Sequence, residues 1–320
     1  MGLDVGGTKA AGLLVAEDGE ILARHVADTP ADDVEATMTT LFDVVGTLRK
    51  EGDPVAVGIG AAGVVDFEAG VMRFAPNLAW RELPLRDRVS EHTGLPCILD
   101  NDANAACWGE YRFGAGRGYR HVLLITVGTG IGGGLVADGG LFRGAHGFAM
   151  ELGHVVVEPD GPLCGCGNRG CLEQVASGRA LDRLGRVAAG EHPDGLIARL
   201  AGTDEVTGRH VTQAAEQGDD VAGRIIEEVG IRLGVGIAGF VNVVDPEVVV
   251  VGGGVADIGS PLLDPTRAAY RDAVLAPDQR PDVPIVAAAL GNDAGAIGAA
   301  ALALELEGAA TGAGGGEGTR

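Results

Sequence analysis

Three kinds of residue in this chain stand at spacings that could do chemistry: a knot of thiols, a carboxylate at the end of an apolar strand, and a set of glycine turns. The thiols are Cys164, Cys166 and Cys171, three within eight residues, with glycines between them that let the backbone fold tightly. Thiolates so crowded suit one face of a tetrahedral Zn²⁺. A fourth ligand is needed, and His154, ten residues before Cys164, and His146 both qualify by position. A redox pair, or unpaired buried thiols, is the other way to read the cluster. Glu151 precedes the knot and Glu173 comes after it. A metal here would hold both of them and His154 in place; without one, each glutamate is an ordinary solvated carboxylate.

The carboxylate lies in Asp100-Asn101-Asp102-Ala103-Asn104, between a strand-like run over 95–102 and a helical one over 103–114. One of these polar residues caps the helix, and Asp102 is a candidate for it. An aspartate at such a strand end can also accept the proton of a hydroxyl attacking a phosphoryl group. Asn101 offers donors and an acceptor to substrate hydroxyls.

The glycine turns are Gly6-Gly7-Thr8, Gly128-Thr129-Gly130 and Gly252-Gly253-Gly254, each after an apolar strand. The first, in Asp4-Val5-Gly6-Gly7-Thr8-Lys9, joins strand to strand, which excludes a Walker loop and a dinucleotide fingerprint, since both open a helix. Consecutive N–H groups in such a turn form an anion nest. Thr8 adds a hydroxyl, Lys9 a cation, and Asp4 could hold Mg²⁺ through water. One such turn reads as a plain hairpin; three at strand ends read as phosphate cradles.

The elements that carry these residues alternate between strands and helices, which predicts an α/β protein. Strands are expected within 2–26, 55–66, 95–102, 121–142, 246–252 and 284–290, and helices over 33–50, 83–94, 103–114, 225–244, 261–275 and 294–307, with 177–240 mostly helical. The stretch 121–142 repeats the opening one: Val127-Gly128 answers Val5-Gly6, Leu135-Val136-Ala137 answers Leu14-Val15-Ala16, and Asp138-Gly139 answers Asp18-Gly19. A repeat at this distance predicts two related subdomains. The tail GAATGAGGGEGTR is low in complexity, and 308–320 is expected to be disordered.

The 320 residues carry a net charge of −21, which argues against a nucleic-acid-binding face. An anionic substrate must then be gripped by backbone N–H groups, a cation or a few lysines. No apolar run reaches the ~18 residues of a membrane span, no basic-then-apolar leader opens the chain, and the clustered cysteines suit a reducing compartment. The expectation is therefore a cytoplasmic protein without membrane or nucleic-acid partners.

With these residues in view the chain resembles the ROK family, and within it bacterial glucokinases. The resemblance runs from about 2 to 305 and rests on Asp4–Lys9, Ala75-Pro-Asn77-Leu, Asn101-Asp102-Ala-Asn104-Ala, Gly128–Gly134, Glu151-Leu-Gly-His154, Cys164–Glu173 and Gly252–Gly254. It implies an actin-like ATPase (ribonuclease H-like) fold with two domains around a cleft: a small α/β domain over 1–102, with the helix at 294–307 packed on it, and a large one over 103–293 with the zinc loop. It implies ATP-dependent phosphorylation of glucose at the C6 hydroxyl, with Asp102 as catalytic base and sugar contacts from Gly63, Asn77, Asn101, Asp102, Glu151, His154 and Glu173. Phosphates would lie at Asp4, Gly6, Gly7, Thr8, Lys9, Gly128, Thr129, Gly130, Gly253 and Gly254, with ATP and Mg²⁺. Structural Zn²⁺ would be held by His154, Cys164, Cys166 and Cys171, in a homo-oligomer, dimer or tetramer. The chain departs from the family at Ala62, where a proline is usual. Another hexose (N-acetylmannosamine, N-acetylglucosamine or fructose), and ADP or polyphosphate as donor, stay open; a non-catalytic sugar-binding regulator is the further alternative, against which Asp102 and the three phosphate turns argue. A DNA-binding repressor of this family would need an added helix-turn-helix and a basic surface, which the opening hairpin and the charge disfavour.

Overall fold

The computed structural model describes residues 1–312. In chain order the elements are β1 (Gly2–Val5), β2 (Lys9–Val15), β3 (Ile21–Asp28), α1 (Val34–Leu48), β4 (Val57–Ala61), β5 (Val64–Asp66), β6 (Val71–Phe74), β7 (Arg81–Leu83), α2 (Leu85–Thr93), β8 (Cys97–Asn101) and α3 (Asp102–Phe113). Then come β9 (Val122–Val127), β10 (Ile131–Ala137), β11 (Gly140–Leu141), α4 (Leu172–Ala176), α5 (Gly178–Glu191), α6 (Leu196–Ala201) and α7 (Gly208–Glu216). The chain closes with α8 (Asp220–Val244), β12 (Val248–Gly252), α9 (Ser260–Ala273), β13 (Ile285–Ala287) and α10 (Ala294–Gly312). The last helix runs past the 307 expected for it; the remainder of the tail, 313–320, lies outside the described residues.

Two five-stranded sheets share one plan. Their orders are β3-β2-β1-β4-β8 and β11-β10-β9-β12-β13. In each, an antiparallel hairpin leads into parallel strands: β1 pairs β4 and β4 pairs β8 in one, β12 pairs β13 in the other. The repeat seen in the sequence is thus a repeat of topology. The inner parallel strands β4 and β12 are buried at every position, as strands covered on both faces must be. The edge strand β3 alternates between half-buried and exposed positions.

The chain divides into two units. The first comprises Met1–Leu124, Gly134–Met150 and the residues from Ala289 on; the second comprises Ile125–Gly133 and Glu151–Ala288. The first of these divisions falls within β9, and α3 is grouped with the first unit. Helix α3 lies flush against α10: a Cβ on Gly298 would sit 1.7 Å from the Ala105 carbonyl oxygen. On its other side α10 meets the sheet as closely. A Cβ on Gly2 or on Gly58 would stand 1.8 Å from the carbonyl oxygen of Ala296 or of Ala299.

The first unit's core joins Leu3 and Val5 of β1 to Met38, Leu41, Val44 and Leu48 of α1, and to Ile59, Trp80, Leu85 and Leu99. Helix α1 presents these apolar residues at helical spacing, and Asp33 caps it by accepting the Ala36 N–H at 3.0 Å. A small sheet, β5-β6-β7, also belongs to this unit. In the second unit α8 packs on α9, where Gly234 allows the Thr266 carbonyl to approach.

Candidate active site

The strand-end aspartate is built by β8 and α3. Asn101, not Asp102, is the cap: its Oδ1 accepts the N–H groups of Ala103 at 2.8 Å and Asn104 at 3.2 Å. Asp102 is the first helical residue. Its carboxylate is freed from capping, and desolvation pushes its pKa up, opposed by the N–H groups of Ala103 and of Asp102 itself and by the Asn101 side chain. A base that holds its proton more readily than a solvated aspartate suits proton abstraction near neutral pH. Asp4, at the end of β1, is pushed up to about 7, first by burial and then by the charge of Asp102.

Asn101 also donates through Nδ2 to the Gly63 carbonyl at 3.1 Å. Gly63 has φ +139°, and a Cβ there would lie 2.3 Å from the Phe74 carbonyl oxygen, so only glycine fits. Asn77 packs directly on the first glycine turn: a Cβ on Gly7 would stand 2.6 Å from both the Cβ and the carbonyl oxygen of Asn77. The turn itself is closed by the Gly6 N–H donating to the Lys9 carbonyl at 3.0 Å, with Thr8 and Lys9 exposed. The first unit thus gathers Asp4, the turn Gly6-Gly7-Thr8, Lys9, Gly63, Asn77, Asn101 and Asp102.

One residue here was not foreseen from sequence. Arg143 donates from Nε to the buried Asp100 carboxylate at 2.7 Å and lies over the Phe67 ring at 3.9 Å. The other Asp100 oxygen accepts from Asn101 N at 2.8 Å and Asn104 Nδ2 at 3.0 Å. Asp100 is therefore a scaffold for the strand end. No local pattern marks Arg143, whose partner is 43 residues away.

The second unit carries Glu151, His154, the cysteines, Glu173 and the other two turns. The four expected metal ligands converge: the ligand atoms of His154, Cys164, Cys166 and Cys171 all lie within 4.8 Å of one another. Cys166 and Cys171 Sγ atoms are 3.6 Å apart, and Cys164 Sγ is 3.6 Å from His154 Nδ1. With Zn–S near 2.3 Å a tetrahedral site sets its sulfurs about 3.8 Å apart, so the donor set and its spacing fit a metal ion; His146 lies outside the group. The Asn168 N–H leads in pulling the Cys166 thiol down to about 7, while burial leads in pushing Cys164 up and Cys171 up to about 12.

Glu173 stands directly behind this group. Its Oε1 lies 3.1 Å from Cys164 Sγ, while its Oε2 faces Gly130, where a Cβ would come within 2.6 Å. Four residues on, Ser177 is fully buried. Its Oγ lies 2.5 Å from the Glu173 carbonyl and 3.0 Å from that of Thr129, and it accepts the Arg179 N–H at 3.2 Å. Gly178 N–H donates to the Gly128 carbonyl at 2.8 Å. The second turn, Gly128-Thr129-Gly130, is thereby fastened to the junction of α4 and α5. The third turn closes on the same place, with Gly253 at φ +86° against the Val127 carbonyl and Val255 N–H donating to it at 2.9 Å. Beside these turns opens a cavity of about 1080 Å³, bordered by Gly128, Thr129, Gly178 and Gly254 and by residues of α5 and α7.

Two sheets of one topology, each led by a glycine-turned hairpin, define the actin-like ATPase fold, as the solved ROK structures similar to this chain have it. The chain belongs to the ROK family, whose family model matches residues 1–306. It is 45% identical over 309 residues to the glucokinase of Streptomyces coelicolor, covering 95% of this chain and 97% of that one. To the glucokinase of Thermotoga maritima it is 41% identical over 308 residues, covering 95% and 97%. A ROK family glucokinase from Streptomyces griseus, solved in complex with glucose and AMPPNP, superposes with a TM-score of 0.87 at 44% identity, over 95% of this chain and 98% of that one.

Proposed function

We infer that the chain is an ATP-dependent glucokinase that transfers the γ-phosphoryl group to the C6 hydroxyl of glucose. The observation that carries this is Asp102: a desolvated carboxylate at a strand end, released from capping by Asn101, in a chain similar to glucokinases over 95% of its length.

Asp102 accepts the proton of the C6 hydroxyl as that oxygen attacks phosphorus. Asn101, Asn77 and the Gly63 loop hold sugar hydroxyls, as do Glu151, His154 and Glu173. The N–H groups of the three glycine turns, with Thr8, Thr129 and Lys9, hold the phosphates and stabilise the charge spreading over them. The cavity beside Gly128 and Gly254 takes the nucleoside. Mg²⁺, when bound, neutralises the phosphate oxygens. Asp4 is the residue to hold it through water: a desolvated carboxylate pushed up further by a neighbouring carboxylate is settled by a cation. Zn²⁺ at His154, Cys164, Cys166 and Cys171 is structural. Most of the acceleration comes from positioning. The same reading makes the enzyme a cytoplasmic homo-oligomer; no helix among the described residues is long and apolar enough to cross a membrane.

A coupled ADP-release assay over a panel of hexoses tests this. Glucose should give the highest kcat/KM. A tenfold preference for N-acetylmannosamine, N-acetylglucosamine or fructose would reassign the substrate, and no turnover with any sugar would remove the kinase reading.

A further inference from the structure

The cavity in the second unit has a charge pattern that bears on the phosphoryl donor. Any donor must place one terminal phosphoryl group and its neighbours on the glycine turns. The remainder of the donor then enters the cavity. In a nucleoside triphosphate that remainder is a neutral ribose and base; in inorganic polyphosphate it is more phosphate, one charge per unit.

The lining is acidic. Asp182, Asp204, Glu205, Glu216 and Asp257 border the cavity, and Arg209 is the one arginine among the described lining residues, which include no lysine. Arg186 offsets part of this by pairing with Glu205 at 2.8 Å, and the Asp182 carboxylate accepts the Gly208 N–H at 2.6 Å. Carboxylates still exceed cations. Leu181, Val255 and Ile258 also line it and offer apolar surface to a planar ring. Carboxylates beside such a surface accept hydrogen bonds from ribose hydroxyls and repel a continuing polyanion.

We propose that this acidic cavity makes the enzyme selective for nucleoside triphosphates and excludes polyphosphate as a donor, with Asp204 and Asp257, both exposed at the cavity's edge, as specificity determinants. The proposal rests on the cavity being the nucleoside site.

The test compares glucose phosphorylation by Mg-ATP and by long-chain magnesium polyphosphate. The wild-type enzyme should use polyphosphate at least about a hundredfold less efficiently, the scale on which focused fields change encounter. Added salt should raise the polyphosphate-to-ATP ratio, because it screens repulsion; a basic donor groove would show the opposite. The double variant Asp204→Lys with Asp257→Lys should raise that ratio about tenfold or more at an unchanged melting temperature. Wild-type use of polyphosphate within tenfold of ATP, or a ratio unmoved by both salt and the double variant, overturns the proposal. AMPPNP binding to Ile258→Trp separates the two readings. Weakened binding fixes the cavity as the nucleoside site, so that polyphosphate use would then count against the selectivity alone. Undiminished binding removes the site and the proposal with it.

Discussion

The two glycine hairpins have one topology and different anchors. The β1–β2 turn is closed on itself and pressed against Asn77, and its strand ends in Asp4, whose carboxylate senses Asp102. The β9–β10 turn is fastened from outside by Ser177, Gly178 and Arg179, and its neighbour Glu173 reaches back to the metal-ligand group. On the proposed function, one copy serves the chemistry of proton transfer. The other has been built into a scaffold whose rigidity comes from a helix junction and a thiol knot. A duplicated element therefore does not imply a duplicated role: what packs behind each turn decides what it does.

This contrast can be broken by substitution, and the largest effect belongs to the first hairpin's side. Asp102→Asn should leave the fold intact and lower kcat by about 10³-fold or more, the range of a lost general base; a kcat within tenfold of wild type removes Asp102 from that role. Next is the scaffold. Cys166→Ala should lose the metal, read by elemental analysis, and lower Tm by several degrees; a full metal complement in the variant would show that the knot is held otherwise. Ser177→Ala sharpens the comparison further. It removes a buried hydroxyl shared by two carbonyls, so stability should fall by about 1–3 kcal/mol. The KM for ATP should rise while that for glucose moves less. Equal rises in both would mean that the second turn is not specifically a phosphate cradle.

The smallest effect is a pH dependence. Asp4 has its folded pKa raised from 3.8 to about 7, so between those values the native state binds more protons than the unfolded one. Stability from this group therefore falls as pH rises through that window. Asp4→Asn should stabilise the protein at pH 8 by on the order of 2 kcal/mol, a gain that fades below about pH 4; denaturant melts at both pH values read it. A variant no more stable at pH 8 would show that Asp4 is well solvated. With Asp102 as the proposed base, the acid limb of kcat/KM should by the same sign lie above the range of an ordinary aspartate, because burial raises its pKa.

Much of this was legible in the sequence because the signals were local. The converging His/Cys group, the repeated hairpins and the strand end at 97–101 are short motifs whose spacing carries the geometry. The cap was placed among the right residues, and the structure chose Asn101, whose side-chain oxygen reaches the N–H groups of both Ala103 and Asn104. The small sheet was not foreseen: β5 to β7 are three or four residues each, too short to show alternation. Arg143, Ser177 and the acidic cavity escaped for another reason. Each depends on residues brought together from distant positions, and a buried serine or an arginine in a loop looks the same in sequence whatever it touches.

The close seams of Gly2 and Gly58 against α10, and of Gly298 within α10 against α3, have a consequence for synthesis. Helix α10 follows every other described element in the chain, yet it is wedged between β1 and α3. During translation the second unit is complete in sequence by residue 288, while the first must wait with its apolar sheet uncovered until the closing helix emerges. A chain cut short before Ala294 should therefore keep an ordered second unit and expose the sheet of β1 to β4, so a nascent molecule most needs chaperones on the unit whose earlier elements wait for α10.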